Sequence, residues 1–481
     1  MTLSACGGPL AADDGLDDGS NNDQALKSGI ALNPGEVRLT AGQSVEASVT
    51  TQDTASWSLK LSALPSGVTA TFSSTTVTKA KPVVVTFRAT SSATLGQAAF
   101  TVTARASTKT STAKGTLRVI APGSAERLRN VDVSVVYPLP AVKDLDALMK
   151  AADPGVGGTL LGESVFAGNL VPVIDDGATL PPGERLRALR VVAARFDPCP
   201  GTLLPPTAPA NCRPDVRLVF QQLQVDGGLV RATDGAIHAF YEMPTAAFER
   251  VLADLRATRA ANAAAPEVPL GVHPTLAREG VSGAFANHLK ALISSVAGMG
   301  TLVRVTHFDR VITGAGQRWL FAMREKKAGA WSDSTIATTT VKSQGLLAIV
   351  GGRWDADITP PLTHGDDVTR VFKVTQKEEA EAFRATARVL NPRIHSSESV
   401  DCSSCHIAPD VAGFGETVRS LSLDAYPERF RSAYPLTSVT KSNEEAIAFE
   451  NIHLFSYLGR GLNVSARAAN ETAAILEMLN Q

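Results

Sequence analysis

Two thiols and an imidazole stand within five residues of this chain, in the run Cys402-Ser403-Ser404-Cys405-His406. No other feature of the sequence constrains the local fold as tightly. On a helix, residues three and four apart lie on one face. Cys402 and Cys405 then sit one turn apart, and His406 points from the same side. The spacing therefore predicts a helix that opens at the motif and carries three reactive groups toward one surface. The other three cysteines, Cys6, Cys199 and Cys212, stand apart from it and need separate explanations.

The run matches the C-x-x-C-H attachment signature for a c-type haem. Two sulfurs at this spacing can both add to the two haem vinyl groups, and the histidine becomes the proximal iron ligand. Apolar spacing around the motif predicts helices over Glu378–Leu390, Glu444–Leu458 and Ala466–Leu479. Asn391-Pro392 ends the first of these and Gly459-Arg460-Gly461 breaks the second. A helix bearing the motif beside a terminal helix pair resembles monohaem cytochrome c domains. The resemblance covers residues 376–481, and the haem motif is its specific part. It implies one haem c held by Cys402, Cys405 and His406.

Relatives of that kind often supply a methionine as sixth ligand from a loop between later helices. Here Gly459–Val464 contains neither Met nor His. The candidates are His453, Met478 and His395, each with an ordinary alternative: a capped or solvated His453, a core Met478, a surface His395. Two histidines would lower the potential relative to Met/His. An open site would instead bind peroxide or a diatomic gas. Cys402, Cys405, His406 and His395 also form a zinc-type donor set, and a simple surface disulfide fits the two cysteines. A thioredoxin-like pair wants a βαβ setting that the surroundings do not suggest.

At 481 residues the chain is too long for one ordinary core, so two to four domains are expected. Hydrophobic residues make up 44% and charged residues 19%, which suits folded domains. A net charge of -1 and the lack of a basic run argue against nucleic acid. No stretch approaches the ~18 apolar residues needed to span a bilayer. Runs such as Leu346–Val350 read as strands.

Membrane attachment is expected from another source. Leu3-Ser4-Ala5-Cys6, followed by Gly7-Gly8, looks like a bacterial lipobox. That resemblance implies a signal peptide removed before Cys6 and a lipid on its sulfur. Five residues precede Cys6, with no positive side chain among them, so a true start further upstream is expected. The alternative is an ordinary cysteine. Ala11–Ser28 is rich in Asp, Gly, Ser and Asn, the composition of a flexible tether.

From Ile30 to Ile120 short alternating runs recur between turn signals: Val45–Thr50, Trp57–Leu61, Val68–Phe72, Val83–Ala89, Phe100–Ala104 and Thr116–Ile120. They predict a β-sandwich. Leu64-Pro65-Ser66-Gly67-Val68-Thr69-Ala70-Thr71-Phe72 resembles bacterial Ig-like repeats of secreted proteins, which implies a spacer or adhesive module.

Between Ala125 and Thr375 strands and helices mix. Strands are predicted over Val131–Tyr137, Leu189–Phe196, Val216–Val225, Leu302–Phe308, Trp319–Met323 and Val368–Val374. Helices are predicted over Thr245–Ala265, between Pro244 and Pro266, and over Ala284–Val296. Outside the cytoplasm, Cys199 and Cys212 are expected to close a loop by a disulfide. His238, His273, His288, His307 and His364 fall here at no metal-ligand spacing, and no catalytic elbow, Walker loop or dinucleotide turn occurs. His364-Gly365-Asp366-Asp367 reads as a solvated turn, with a cation site as the alternative.

The expectation is thus a multidomain chain. Residues 1–28 are a lipobox and tether, 29–122 an Ig-like β-sandwich, 123–375 an α+β domain, and 376–481 a small all-α, cytochrome c-like domain. Its expected function is single-electron transfer with a redox partner protein, on a lipid anchor in the bacterial cell envelope, at the periplasmic or surface side. The alternatives are a haem enzyme or gas/peroxide sensor with an open iron, and a non-redox surface adhesion or binding lipoprotein holding a disulfide or zinc at the motif.

Overall fold

The computed structural model describes residues 29–480 apart from 34–35, 43, 52, 80, 108, 121–126, 167–181, 200–212, 262–267, 314–315, 350–352, 357–365, 376–377, 433 and 435–450. The expected lipid site at Cys6, the tether, Cys212, His364 and residues 444–450 of one expected helix lie outside the described residues.

The first part of the chain is all strand, as its alternation predicts. β1 (Ile30–Asn33), β3 (Ser44–Thr51), β7 (Val83–Ala89) and β5 (Val68–Phe72) form one sheet in the order β1-β3-β7-β5. β2 (Glu36–Thr40), β9 (Lys109–Ile120), β8 (Gly96–Ala106), β4 (Trp57–Leu61) and β6 (Thr76–Val77) form the other in the order β2-β9-β8-β4-β6. One apolar core, with Trp57, Val85, Phe87 and Phe100 fully buried, joins residues of both sheets. Strand β7 shows why: Val83, Val85 and Phe87 alternate inward at the period of two that one buried face requires.

A larger antiparallel sheet organises the rest. Its order is β10 (Ser134–Val136), β13 (Leu189–Asp197), β14 (Asp215–Asp226), β16 (Gly235–Glu242), β17 (Leu302–Thr313), β18 (Gly316–Lys327), β20 (Ser343–Ile349) and β21 (Arg353–Ala356). β15 (Leu229–Ala232) pairs with β14, and β19 (Ala330–Asp333) with β18. A small hairpin joins β11 (Pro154–Gly155) to β12 (Gly158–Thr159). Every residue of β13 is buried, so this strand is covered on both faces.

The helices are α1 (Asn130–Val133), α2 (Pro182–Ala188), α3 (Thr245–Ala261), α4 (Pro274–Glu279), α5 (Ala284–Ser294), α6 (Glu379–Val389), α7 (Cys402–Val418) and α8 (Ala466–Leu479). A last hairpin pairs β22 (Phe455–Leu458) with β23 (Gly461–Val464).

Three local expectations are corrected. Val368–Phe372 is a 3-10 helix rather than a strand, because the Asp367 carboxylate accepts from the Thr369 N–H at 2.8 Å and caps a helical turn. In Val131–Tyr137 only Ser134–Val136 is strand. Asn130–Val133 is a helical turn whose Asp132 carboxylate accepts from the Arg129 N–H at 2.8 Å. Phe455–Leu458, expected as the end of a helix, turns back at Gly459, whose φ of 57° is open to glycine, and pairs with β23. Gln221 holds that strand in place: its side chain donates to the Tyr457 carbonyl at 2.7 Å and accepts from the Tyr457 N–H at 2.8 Å.

The C-terminal helices do not close a core of their own. Phe383 of α6, Ile407 and Val411 of α7 and Ile475 of α8 belong to the same apolar cluster as Phe220, Tyr241 and Phe308 of the large sheet. A separate all-α domain over residues 376–481 is therefore not clearly shown: the described residues there form a helical layer, with one hairpin, laid on the sheet. Helices α6 and α7 approach closely at Gly415, where an added Cβ would strike the ring of fully buried Phe383. Phe383→Ala is expected to lower stability by about 3–5 kcal/mol. Gly415→Ala is expected to lower it less, because overpacking of about 1–3 kcal/mol is offset by about 1 kcal/mol of helix propensity. Denaturant midpoints of the two variants check both values.

Candidate functional site

The motif helix begins where its own sequence tells it to. Asp401 is fully buried, and its carboxylate accepts from the Ser404 N–H at 2.9 Å as an N-cap. Gln344 of β20 donates to the same carboxylate at 2.9 Å and accepts from the Ser403 N–H at 3.0 Å. One amide side chain thus pins the first turn of α7 to the sheet. Burial raises the Asp401 carboxyl above its ordinary range, while the Ser404 and Gln344 hydrogen bonds oppose the shift.

That turn brings all three motif side chains to one cavity of about 800 Å³ of empty space, counting its open mouth. Cys402 and Cys405 are free thiols. Burial pushes both up, Cys405 to about 11 and Cys402 further, so they carry their protons at neutral pH. His406 is pushed down to about 4, first by burial, against the Ile452 hydrogen bond and with the charge of His453, so its ring is neutral. Its Nδ1 lies 2.8 Å from the Ile452 carbonyl oxygen. A carbonyl only accepts, so Nδ1 holds the hydrogen and Nε2 keeps a lone pair for a metal. Phe308 and Phe321 of the sheet hold the ring edge-on and tilted, at centroid distances of 5.1 and 5.0 Å.

The opposite wall is the sheet. The register row Val219, His238, Thr306 and Met323 crosses β14, β16, β17 and β18, and all four residues line the cavity. The next row on the same face places Arg217, Phe240 and Arg304 side by side. The two guanidinium carbons stand 4.6 and 4.1 Å from the Phe240 ring centroid. Helix α8 adds Arg467, Ala468 and Glu471 at its first turns, and β13 adds Arg195.

The lining thus carries four guanidiniums, those of Arg195, Arg217, Arg304 and Arg467, against the single carboxylate of Glu471. Burial pushes the Glu471 carboxyl up, but Arg467, Arg195 and Arg217 together pull it down further, to about 2. Arg467 also braces the frame. It is 1% exposed and donates to the carbonyls of Val389 and His395, each at 2.6 Å, tying α8 to the end of α6 and to the segment leading into α7.

Such a lining suits a flat ligand with apolar faces and anionic edges. Val219, Phe240, Val400 and Leu454 offer the faces contact, and the arginines neutralise the edges. A haem, with its two carboxylates, is one ligand of that chemistry, and Cys402, Cys405 and His406 of the lining are the residues that could hold it.

No family model and no curated protein matches the chain. Among solved structures, the Vibrio cholerae VesB protease is 12% identical and covers 19% of this chain and 31% of its own, at a TM-score of 0.16. An endo-fucoidan hydrolase of glycoside hydrolase family 107 is 13% identical, covers 20% of this chain and 14% of its own, and has the same TM-score of 0.16. The GspB Siglec domain is 12% identical over 24% of this chain and 66% of its own, again at 0.16.

The three sixth-ligand candidates read from the sequence do not line the cavity. His453 is buried, with Nδ1 2.7 Å from Ser456 Oγ and Nε2 3.0 Å from Asp234. His395 has Nδ1 3.0 Å from the Ser399 carbonyl and Nε2 2.7 Å from Asp366. Both ring nitrogens are engaged in each case. Met478 lies seven residues beyond Glu471 on α8, about 10 Å along the axis. His395 is likewise committed away from a zinc set, and no group of three or more His, Cys, Asp or Glu among the described residues is placed to hold a metal ion. Cys199 is buried and is not a free thiol, while Cys212 lies outside the described residues. The residues that sequence reasoning passed over are His238, Met323 and the arginines. Their signal was the alternation of strands β14 to β18, which puts them on one face.

Glu471 yields a pH prediction. A carboxyl whose folded value is depressed adds stability above its unfolded value and loses it as pH falls through the folded one. Glu471→Gln is therefore expected to be less stable than the parent by on the order of 2–3 kcal/mol above pH 5. The difference should shrink between about pH 4.5 and 2, as denaturant titrations across that window would show.

Proposed function

We propose that this protein is an exported electron-transfer protein carrying one covalent haem c in the cavity between α7 and the large sheet. The observation that carries the reading is the convergence of Cys402, Cys405 and His406 on one cavity, with His406 fixed through Nδ1 so that Nε2 is the ligating nitrogen. Bound there, a haem would supply one-electron chemistry. The chain's own residues do the rest. Each thiol would add its S–H across one vinyl group, sulfur to one carbon and hydrogen to the other, with no oxidant and no leaving group. The Ile452 carbonyl orients the proximal imidazole and raises its basicity. Phe308 and Phe321 keep water from that side. The arginines offset the carboxylates that such a ligand brings into a low-dielectric site.

Export is part of the same reading. It rests on the lipobox-like Leu3–Cys6 run and on the expected Cys199–Cys212 bridge, whose chemistry belongs to oxidising compartments. No helix among the described residues is long and apolar enough to cross a membrane, so the lipid at Cys6 would be the anchor. The two-sheet module at the N-terminal side, read as Ig-like, would then be a spacer between anchor and haem.

The full chain, matured with a cytochrome c assembly system, is expected to retain its haem after denaturation and to give a pyridine haemochrome of the two-thioether type. Cys402→Ala or Cys405→Ala alone should leave one vinyl group intact and shift that spectrum to longer wavelength. The double variant should lose the covalent haem entirely. A parent protein that releases its iron and porphyrin on denaturation would sink the proposal.

A further inference from the structure

Facing α7, the sheet presents one imidazole. His238 stands on β16, paired with Val219 on one side and Thr306 on the other, inside the row that ends at Met323. Its side chain lies on the same sheet face as Phe240, Arg217 and Arg304, and it lines the cavity together with His406. His238 is half-buried at the cavity wall. The His238 ring has no hydrogen bond among the described residues. His395 and His453, by contrast, have both nitrogens engaged.

We infer that His238 is the residue that faces His406 across the haem plane, so that a strand and a helix each contribute one imidazole ligand. This rests on the haem reading of the cavity. Three observations favour His238 over other donors. It lies in the interior of the row, whereas Met323 is two strands further along, about 10 Å away at ordinary strand spacing. It lines the cavity together with His406, whose Nδ1 is committed to the Ile452 carbonyl. Both ligands would come from rigid elements, one from an interior strand of the large sheet and one from the capped first turn of α7. A closed iron of this kind would carry electrons and exclude exogenous ligands, unlike the open catalytic or sensing site.

The test uses the full-length, haem-loaded protein and its visible and EPR spectra. The parent is expected to be low-spin, with the signature of two imidazoles, and its ferrous form to leave carbon monoxide unbound. His238→Ala is expected to turn the ferric form high-spin and to let carbon monoxide bind stoichiometrically, with added imidazole restoring the low-spin spectrum. Should His238→Ala fold poorly, His238→Met keeps a side chain and a ligand there. It is expected to replace the two-imidazole signature by a methionine-to-iron charge-transfer band and to raise the potential. Met323→Leu should leave the parent spectrum unchanged. The inference is overturned if His238→Ala and His238→Met keep the parent signature, if Met323→Leu removes it, or if the parent already binds carbon monoxide. Covalent haem retained on denaturation in any of those outcomes would leave the haem reading standing. No covalent haem in the parent would remove both.

Discussion

The site depends on one constraint: the motif helix lies on the face of a sheet and shares its core. A helix of this length could hold its three reactive side chains on one face without help, but it could not give them anything to face. The sheet supplies that. Gln344 reaches from β20 to the first turn of α7 and fixes where the helix starts. Phe308 and Phe321 fix the plane of His406, and Ile452 fixes its hydrogen. Each is a contact between segments far apart in the chain, so the cavity exists only once the non-local strand pairing is complete.

The charges around the cavity point the same way. Buried ion pairs are poor stabilisers, because desolvation consumes most of the Coulombic gain. Arg195, Arg467 and Glu471 form such a network, with Arg195 donating to the Ala468 carbonyl at 3.0 Å and to Thr472 at 3.3 Å. Arg217 shares the Glu471 carboxylate at 3.8 Å. Stability alone does not account for three guanidiniums drawn toward the Glu471 carboxylate at a cavity wall, beside an Arg304 that pairs with Glu398 at 2.6 Å. An anionic ligand of the kind proposed would balance the charge that Glu471 and Glu398 leave over. The pairing of Arg217 and Arg304 across Phe240 adds to this, because each guanidinium rests on an aromatic face and keeps its donors for other partners.

Much of this architecture was legible in the sequence where the signal is local. Helix α7 opens at Cys402, and α8 spans Ala466–Leu479 as its apolar spacing predicts. β4, β5 and β7 match their alternating runs residue for residue. Failures came where a short-range pattern was overruled by a contact from elsewhere. Ile452, Phe455 and Leu458 have helical spacing, but Gln221 binds the backbone of Tyr457 and Gly459 turns the chain into a hairpin. Val368–Val374 is apolar enough for a strand, yet the Asp367 cap sets a helical turn. The boundary drawn at residue 376 divided elements that bury one another. No composition shift marks a core shared between a sheet and helices that follow it much later in the chain.

The same reason explains which histidines were weighed. Sequence proximity drew attention to His395 and His453, which stand near the motif in the chain. Both prove to be structural, the first bracing Asp366 beside Arg388 and the second holding Asp234 beneath Trp319. His238 has no neighbour in sequence to mark it, and its partner Thr306 means nothing until the strand order is known. A ligand pair split between a helix motif and a distant strand has a physical consequence. On the proposed reading, the helix motif would fix one ligand locally, while the strand would fix the other only through the register of several ladders. A one-residue slip in β16 would turn His238 to the far face. The identity of the group opposite His406 is therefore a property of the whole sheet, and the extensive antiparallel pairing of β14, β16, β17 and β18 is what keeps it constant.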